Sequence, residues 1–201
     1  MKLRLGFLAS HGGSNVQAIL DACREGRLTA EPCVVISNNS DAMVLDRAMA
    51  ARVPAFHLSS HVHPEPARLD EAILATLEKH RVNLILLAGY MKKLGPKTLA
   101  RYRGRVLNIH PALLPKYGGR GMYGNHVHDA VLAAGDKESG ATVHIVDEEY
   151  DRGRILAQKK VPVLADDTSE SLAARVLEVE HQLYAETLQR IATGDLRLEG
   201  L

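Results

Sequence analysis

The chain contains no tryptophan, and aromatic residues make up only 4% of it, so the core has to be aliphatic. It has two cysteines, Cys23 and Cys33. They fit no metal-ligand spacing, and both are expected as reduced thiols. No apolar run approaches the ~18–20 residues of a membrane helix, so no span and no membrane partner is expected. The opening "MKLRLGFLAS" has a short apolar stretch and no small-residue cleavage pattern; it is not expected to be a leader, and a cytoplasmic location is expected. Charge is also nearly absent in the net: 25 Lys and Arg against 24 Asp and Glu give +1. Without a basic field, nucleic acid is not an expected partner. There are no repeats, no low-complexity segments and no linker, and 201 residues suit one domain, 1–201.

What is present is an alternation. "LRLGFLAS", "CVVISN", "PAFHL", "VNLILLAG" and "RVLNIH" read as strands. Between them lie helical patterns in "SNVQAILDACREG", "DAMVLDRAMAARV" with Asp41 as its cap, "PARLDEAILATLEKH" and a short stretch near Pro96–Tyr102. This order predicts an α/β fold of Rossmann-like type: an open, mostly parallel twisted sheet with helices on both faces. "GATVHIVDEE" and "RILAQKKVPV" then predict an antiparallel pair of strands added at the C-terminal side. A long amphipathic helix follows, with Leu172, Val176, Val179, Leu183 and Leu188 on one stripe and either Thr168 with Ser171 or Ser169 with Glu170 as the cap at its start.

The stretch "RVLNIHPALLPKY" concentrates the chemistry. Asn108 and His110 are two apart, so on a strand both side chains point to one face. Pro111 holds His110 extended, and Pro115 stiffens the exit. Four polar clusters are expected at one edge of the sheet, where open parallel sheets bind ligands: "SHGGSN", "AGYMKKL", "NIHP" and the run from Asp147 to Asp151. In the first, Gly12, Gly13, Ser14 and Asn15 make a turn into a helix. Its pattern is neither a dinucleotide fingerprint nor a Walker loop, and it reads either as a phosphate turn or as a plain helix cap. His144 reads as a satisfied histidine of a sheet, and Glu148 and Glu149 as solvated charges. Asp151, with Gly153 close behind, suits an inward-turned carboxylate. His126 and His128 have poor chelating geometry, and no metal is expected.

An amide, an imidazole and a carboxylate without a serine or cysteine nucleophile suit direct transfer between two bound substrates. The amide stabilises an oxyanion, the imidazole carries protons near neutral pH, and a neighbouring aspartate orients the ring and raises its pKa. That set fits acyl transfer to an amine through a tetrahedral intermediate.

On "GSNVQAIL", "LAGYMKKL", "LNIHPALLPKY", "GATVHIVDEEYDRGRILAQ" and "VEHQLY", the chain resembles the phosphoribosylglycinamide formyltransferases, essentially end to end. The resemblance implies formyl transfer from 10-formyltetrahydrofolate to the amine of glycinamide ribonucleotide in purine biosynthesis, with no metal. It implies that Asn108 holds the formyl oxygen, His110 is the general acid toward the departing folate nitrogen, and Asp151 orients His110. Gly13, Ser14 and Asn15 would bind the acceptor's phosphate, and Glu180 would also contact the acceptor. Met91, Lys92, Lys93, Leu94, Val106, Asn108, Val146, Asp147, Glu148, Glu149, Tyr150 and Asp151 would line the folate pocket. Residues 1–105 would form the phosphate-binding half and 106–201 the catalytic and folate-binding half, in a monomer or homodimer.

His11 stands where the family usually has glycine, Lys92 where arginine is common, and Leu177 where a polar residue often helps hold the acceptor. The loop Gly118–Gly124 is glycine-rich. The alternatives are a formyltetrahydrofolate hydrolase, a formyltransferase for another amine, and a non-catalytic folate or phosphate module. A related methionyl-tRNA enzyme would add a C-terminal domain and a basic surface, and the hydrolase an N-terminal regulatory domain; neither is expected here.

Overall fold

The alternation of apolar runs becomes a seven-stranded sheet in the computed structural model, which describes residues 2–199. Along the chain come β1 (Leu3–Leu8), α1 (Ser14–Arg24), β2 (Ala30–Ser37), α2 (Met43–Ala50), β3 (Ala55–His57), α3 (Pro66–Lys79) and β4 (Leu84–Leu87). Then follow α4 (Pro96–Arg101), β5 (Val106–His110), α5 (Asn125–Ala133), β6 (Glu138–Ile145), β7 (Ile155–Pro162) and α6 (Ser169–Thr193). The spatial order is β3-β2-β1-β4-β5-β6-β7. β1 to β5 run parallel to one another, and β6 and β7 continue the sheet antiparallel. The expected architecture is therefore present, with α5 as a helix that the strand–helix count from the sequence left out.

Strand alternation sorts the core into two layers. Leu5, Phe7, Leu84, Leu86, Leu107 and Ile109 face one layer, where α1, α2, α5 and α6 pack. Leu8, Val34, Ile36, Ile85, Leu87 and Val106 face the other, where Ile73 and Leu77 of α3 close the core over β2, β1 and β4. "LILL" in β4 is buried on both sides, as a central parallel strand must be. On the second face, β5 and β6 are covered by loops rather than by a helix, and the polar side chains collect there.

Local signals set most helix ends. Pro66 and Pro96 open α3 and α4, where a missing N–H costs nothing. Of the two caps the sequence offered for α6, Thr168 and Ser171 form the reciprocal one. Asp41 does not cap α2; its N-cap is Ala42, because the Val44 N–H donates to the His11 carbonyl of the β1–α1 turn instead.

Two buried polar groups tie layers together. The Tyr184 hydroxyl of α6 reaches the carbonyls of Leu87 and Leu107, fixing β4 beside β5. The Asp70 carboxylate of α3 accepts from the N–H groups of Lys97 and Thr98 and from the Thr98 hydroxyl, so it caps α4 across 28 residues of chain. Gly95 has no alternative there, since a Cβ would collide with Asp70. Asp70→Ala leaves these donors buried without partners. It should lower unfolding stability by ~1–3 kcal/mol, read as a lower urea midpoint at unchanged slope.

Candidate active site

β5 presents Asn108 and His110 on one face, as its period dictates, and β6 answers with His144 opposite Asn108 and Thr142 opposite His110. The chain leaving β5 is anchored by more than its prolines. The Thr142 hydroxyl donates to the Ala112 carbonyl and accepts from the Leu114 N–H, and the Gln158 amide donates to the Leu114 carbonyl. This holds Tyr117 so that its carbonyl accepts from His110 Nε2 at 2.7 Å.

Asp151 arrives differently from the sequence expectation. β6 runs antiparallel, so the Asp147–Asp151 run does not leave at the edge shared by the other three clusters. It starts beside Val106, the first residue of β5, where the Val146 N–H donates to the Val106 carbonyl, and then folds back over the face. Gly153 permits the return, because a Cβ there would strike the Ile145 carbonyl oxygen. Asp151 itself sits at φ 56°, a left-handed backbone that aspartate tolerates better than most residues. Its Oδ2 accepts from the Gly119 N–H at 2.9 Å and lies 3.6 Å from His110 Nδ1, while its Oδ1 lies 3.5 Å from His144 Nε2. Gly118 leaves room for this approach; a Cβ would stand 2.6 Å from Leu114 Cδ2 and 3.2 Å from Asp151 Cβ.

His144 is therefore part of the cluster rather than only a histidine of the sheet. Its Nδ1 faces the Ile145 carbonyl at 3.0 Å and must carry the proton of the neutral ring. Nε2 is then an acceptor for Asn108 Nδ2 at 3.2 Å, which fixes the Asn108 amide and leaves its second N–H to face a ligand. Thr142 and the Tyr117 carbonyl are further participants that sequence reasoning missed. Their one sequence trace is the alternation that puts Thr142 and His144 on the same face of a strand.

The expectation of a raised His110 pKa is reversed. Burial of the ring lowers it most; Asp151 and the Tyr117 carbonyl act the other way, His144 adds to the lowering, and the net direction is down. For Asp151, burial acts upward, but His144, His110 and the Gly119 N–H outweigh it and hold the carboxyl below its ordinary value. The cluster thus sets a carboxylate beside a His110 ring whose burial favours its neutral form.

The β1–α1 turn lies at the carboxyl edge. Gly13 is the N-cap of α1 at φ 69°, and a Cβ there would strike Val44. No side chain caps α1, so its first N–H groups point outward from a dipole end that favours anions. Ser14 is half-buried beside Asn15, whose Nδ2 donates to Glu180 Oε2 at 2.7 Å. Arg47 of α2 donates to the Gly12 carbonyl, placing a cation at the turn that the sequence did not suggest. His11 is exposed and contributes its carbonyl to α2.

The residues expected around a folate separate into groups. Met91 and Tyr150 are exposed apolar side chains on facing loops, with the Met91 N–H bound to Ser10 Oγ. Leu94 and Val106 are buried in the second core layer and can only form a floor, and Val146 packs on that layer. Lys92 is exposed, whereas Lys93 Nζ donates to the Glu148 carbonyl and lies 5.6 Å from the centre of the Tyr150 ring. Asp147 accepts from the Glu149 N–H, and Glu148 and Glu149 are solvated as expected. Leu177 is exposed on α6. A cavity of about 690 Å³ is walled by Asn38, His57, Ser59, Tyr90 and Lys92, and neither Asn108 nor His110 lines it. Among the described residues no group of three His, Cys, Asp or Glu could hold a metal ion.

The chain is similar to known proteins over nearly its whole length. A model of the formyl transferase family matches residues 3–188. The phosphoribosylglycinamide formyltransferase of Haemophilus influenzae is 42% identical over 98% of this chain and 90% of its own length. A chloroplastic phosphoribosylglycinamide formyltransferase of Vigna unguiculata is 44% identical over 94% of this chain, which spans 60% of that protein. The crystal structure of glycinamide ribonucleotide transformylase 1 from Symbiobacterium toebii superposes with a TM-score of 0.92 at 41% identity, covering 99% of this chain and 92% of that one. The chain belongs to the formyl transferase family.

Proposed function

We propose that this protein is a phosphoribosylglycinamide formyltransferase, moving a formyl group from 10-formyltetrahydrofolate to the amine of glycinamide ribonucleotide in purine biosynthesis. The names of its relatives support this. The observation that carries the chemistry is the meeting of Asn108, His110, His144 and Asp151 on one face of β5 and β6. Among the described residues no serine or cysteine joins their hydrogen bonds as a nucleophile. Cys23 and Cys33 lie away on α1 and β2, and burial pushes the Cys23 thiol up to about 11. The Thr142 hydroxyl is held by its loop. The amine itself has to attack.

In this reading the acceptor's amine adds to the formyl carbon, and the oxygen becomes an oxyanion held by the free N–H of Asn108. Such a donor is worth ~10²–10³ in turnover. His110 Nε2 is committed to the Tyr117 carbonyl, so Nδ1 handles the proton. A ring kept mostly neutral takes the proton of the attacking amine and then returns it to the departing folate nitrogen. Asp151 stabilises the charged ring in between. The uncapped turn of Gly13, Ser14 and Asn15, with Arg47 beside it, supports a site for the acceptor's phosphate. Met91 and Tyr150 offer apolar walls for the folate. Residues 1–105 then carry the phosphate turn and 106–201 the catalytic cluster, within one domain. No helix among the described residues is long and apolar enough to cross a membrane. We place the reaction in the cytoplasm on its free thiols.

Four measurements test this. An assay with 10-formyltetrahydrofolate should show loss of the formyl group only when glycinamide ribonucleotide is added; loss without any amine would make the protein a hydrolase. Asn108→Ala should cut kcat by ~10²–10³ while acceptor affinity changes little; equal losses in both would remove the oxyanion role. Asp151→Asn removes the charge that raises His110, so the His110 midpoint followed by NMR should fall further and the acidic limb of the pH–rate profile should shift with it. An unmoved midpoint would break the pairing. Ser14→Asp, which suits a helix start, should weaken glycinamide ribonucleotide at least ~10-fold by like-charge repulsion and leave folate affinity alone; the reverse, seen by calorimetry, would move the phosphate elsewhere.

A further inference from the structure

The Asn15–Glu180 pair is half complete. Asn15 Nδ2 donates to Glu180 Oε2, but Asn15 Oδ1 is buried and has no hydrogen-bond partner. Both residues are more than nine-tenths buried. A buried amide oxygen is rarely left unpaired unless something supplies a donor. Two donors fit this place. One is Glu180 itself: a carboxylic acid facing a carboxamide closes a ring of two hydrogen bonds, N–H to one carboxyl oxygen and O–H to the amide oxygen. The other is a bound ligand.

We propose that Asn15 and Glu180 form a proton-linked latch on the acceptor subsite. As a carboxylic acid, Glu180 closes on Asn15 and satisfies it internally. As a carboxylate it leaves Asn15 Oδ1 and its own second oxygen open, two acceptors side by side for the hydroxyl or N–H donors of the acceptor. This rests on the reading of glycinamide ribonucleotide as that acceptor.

The surroundings make the switch occur near neutrality. Burial pushes the Glu180 carboxyl up to about 7, with the Asn15 hydrogen bond acting against it. The neighbouring elements contribute no opposing charge among the described residues. α1 offers the neutral Asn15 and its positive dipole end. On α6, burial lowers His181 with Glu178 acting against it; on α5, burial lowers His128, with Asp129 acting against it and His110 adding to it; on β7, Lys159 reaches Gln182 and Glu186. The sign follows: the acceptor binds the ionised form, so its affinity rises with pH through about 7. Below that, binding expels the Glu180 proton to solvent.

Calorimetry at pH 6.5 in two buffers of different ionisation enthalpy counts that proton. The acceptor's own phosphate and amine titrate alike with either protein and cancel in a difference. Wild type should release more protons per glycinamide ribonucleotide than Glu180→Gln, whose amide keeps both hydrogen bonds to Asn15 at every pH. Between pH 6 and 8 the affinity of wild type should rise about tenfold more than that of Glu180→Gln, with affinity for 10-formyltetrahydrofolate the same in both. Equal proton counts and equal pH slopes overturn the proposal. If Glu180→Gln does not fold, ¹³C NMR of the wild-type glutamate carboxyls decides. The Glu180 midpoint must fall when acceptor saturates the protein, and a midpoint that stays or rises overturns the latch. Acceptor binding without a proton difference ends this proposal alone. No acceptor binding at any pH ends the proposed function and the latch with it.

Discussion

The carboxylate of Asp151 is the group on which the site's geometry depends. Three separate pieces of chain end on it: the strand β5 through His110, the strand β6 through His144, and the glycine-rich loop through the Gly119 N–H. None of these pieces is held in this arrangement by its own local structure. The Gly119 N–H donates to this charge at 2.9 Å, and His110 Nδ1, 3.6 Å away, becomes a second donor when that ring takes a proton. The loop from 146 to 154 must therefore fold back over the sheet to deliver it, and Gly118 and Gly153 must be small for it to arrive. The left-handed backbone at Asp151 is a local cost sustained by the contacts its side chain makes.

The sheet explains why the cluster can exist at all. α3 seals the second face over β2, β1 and β4, and side chains there are Leu, Val and Ile. Over β5 and β6 the same face is covered by loops, whose backbone groups can pair with polar side chains. Asn108, His110, Thr142 and His144 occupy the positions that Val or Leu would hold under a helix. The opposite balance on His110 follows from the same placement. Loops bury the ring enough to favour its neutral form, and one carboxylate at 3.6 Å limits how far that goes. A proton carrier that must both take and give benefits from that middle position.

The parts legible in the sequence were those set by local rules. "LILL" has the pattern of a doubly buried strand, Thr168 with Ser171 was one of two caps the sequence offered for α6, and Asn-x-His on a strand had to share a face. What failed was what depends on partners far along the chain. His144 meets Asn108 across 36 residues, and only the pairing of β6 with β5 brings them together. The direction of β6, unreadable from its own residues, moved the start of the Asp147–Asp151 loop from one end of β5 to the other. Asp41 was a sound cap by type, but a carbonyl from another turn had already met the need. The sign of the His110 shift needed the depth of its burial, which no spacing encodes.

The two ends of the sheet have a consequence for the protein at high concentration. β3 is three residues long and gives an incoming strand almost nothing to pair with. β7 is longer, but it ends in Lys159, Lys160, Val161 and Pro162, with the lysines engaged to Gln182, Glu186 and Glu138. A proline cannot donate to a new ladder, and a second copy would bring its own lysines against these. A sheet closed off in this way at both margins resists growing by strand addition, so crowding should not draw these molecules into edge-to-edge filaments.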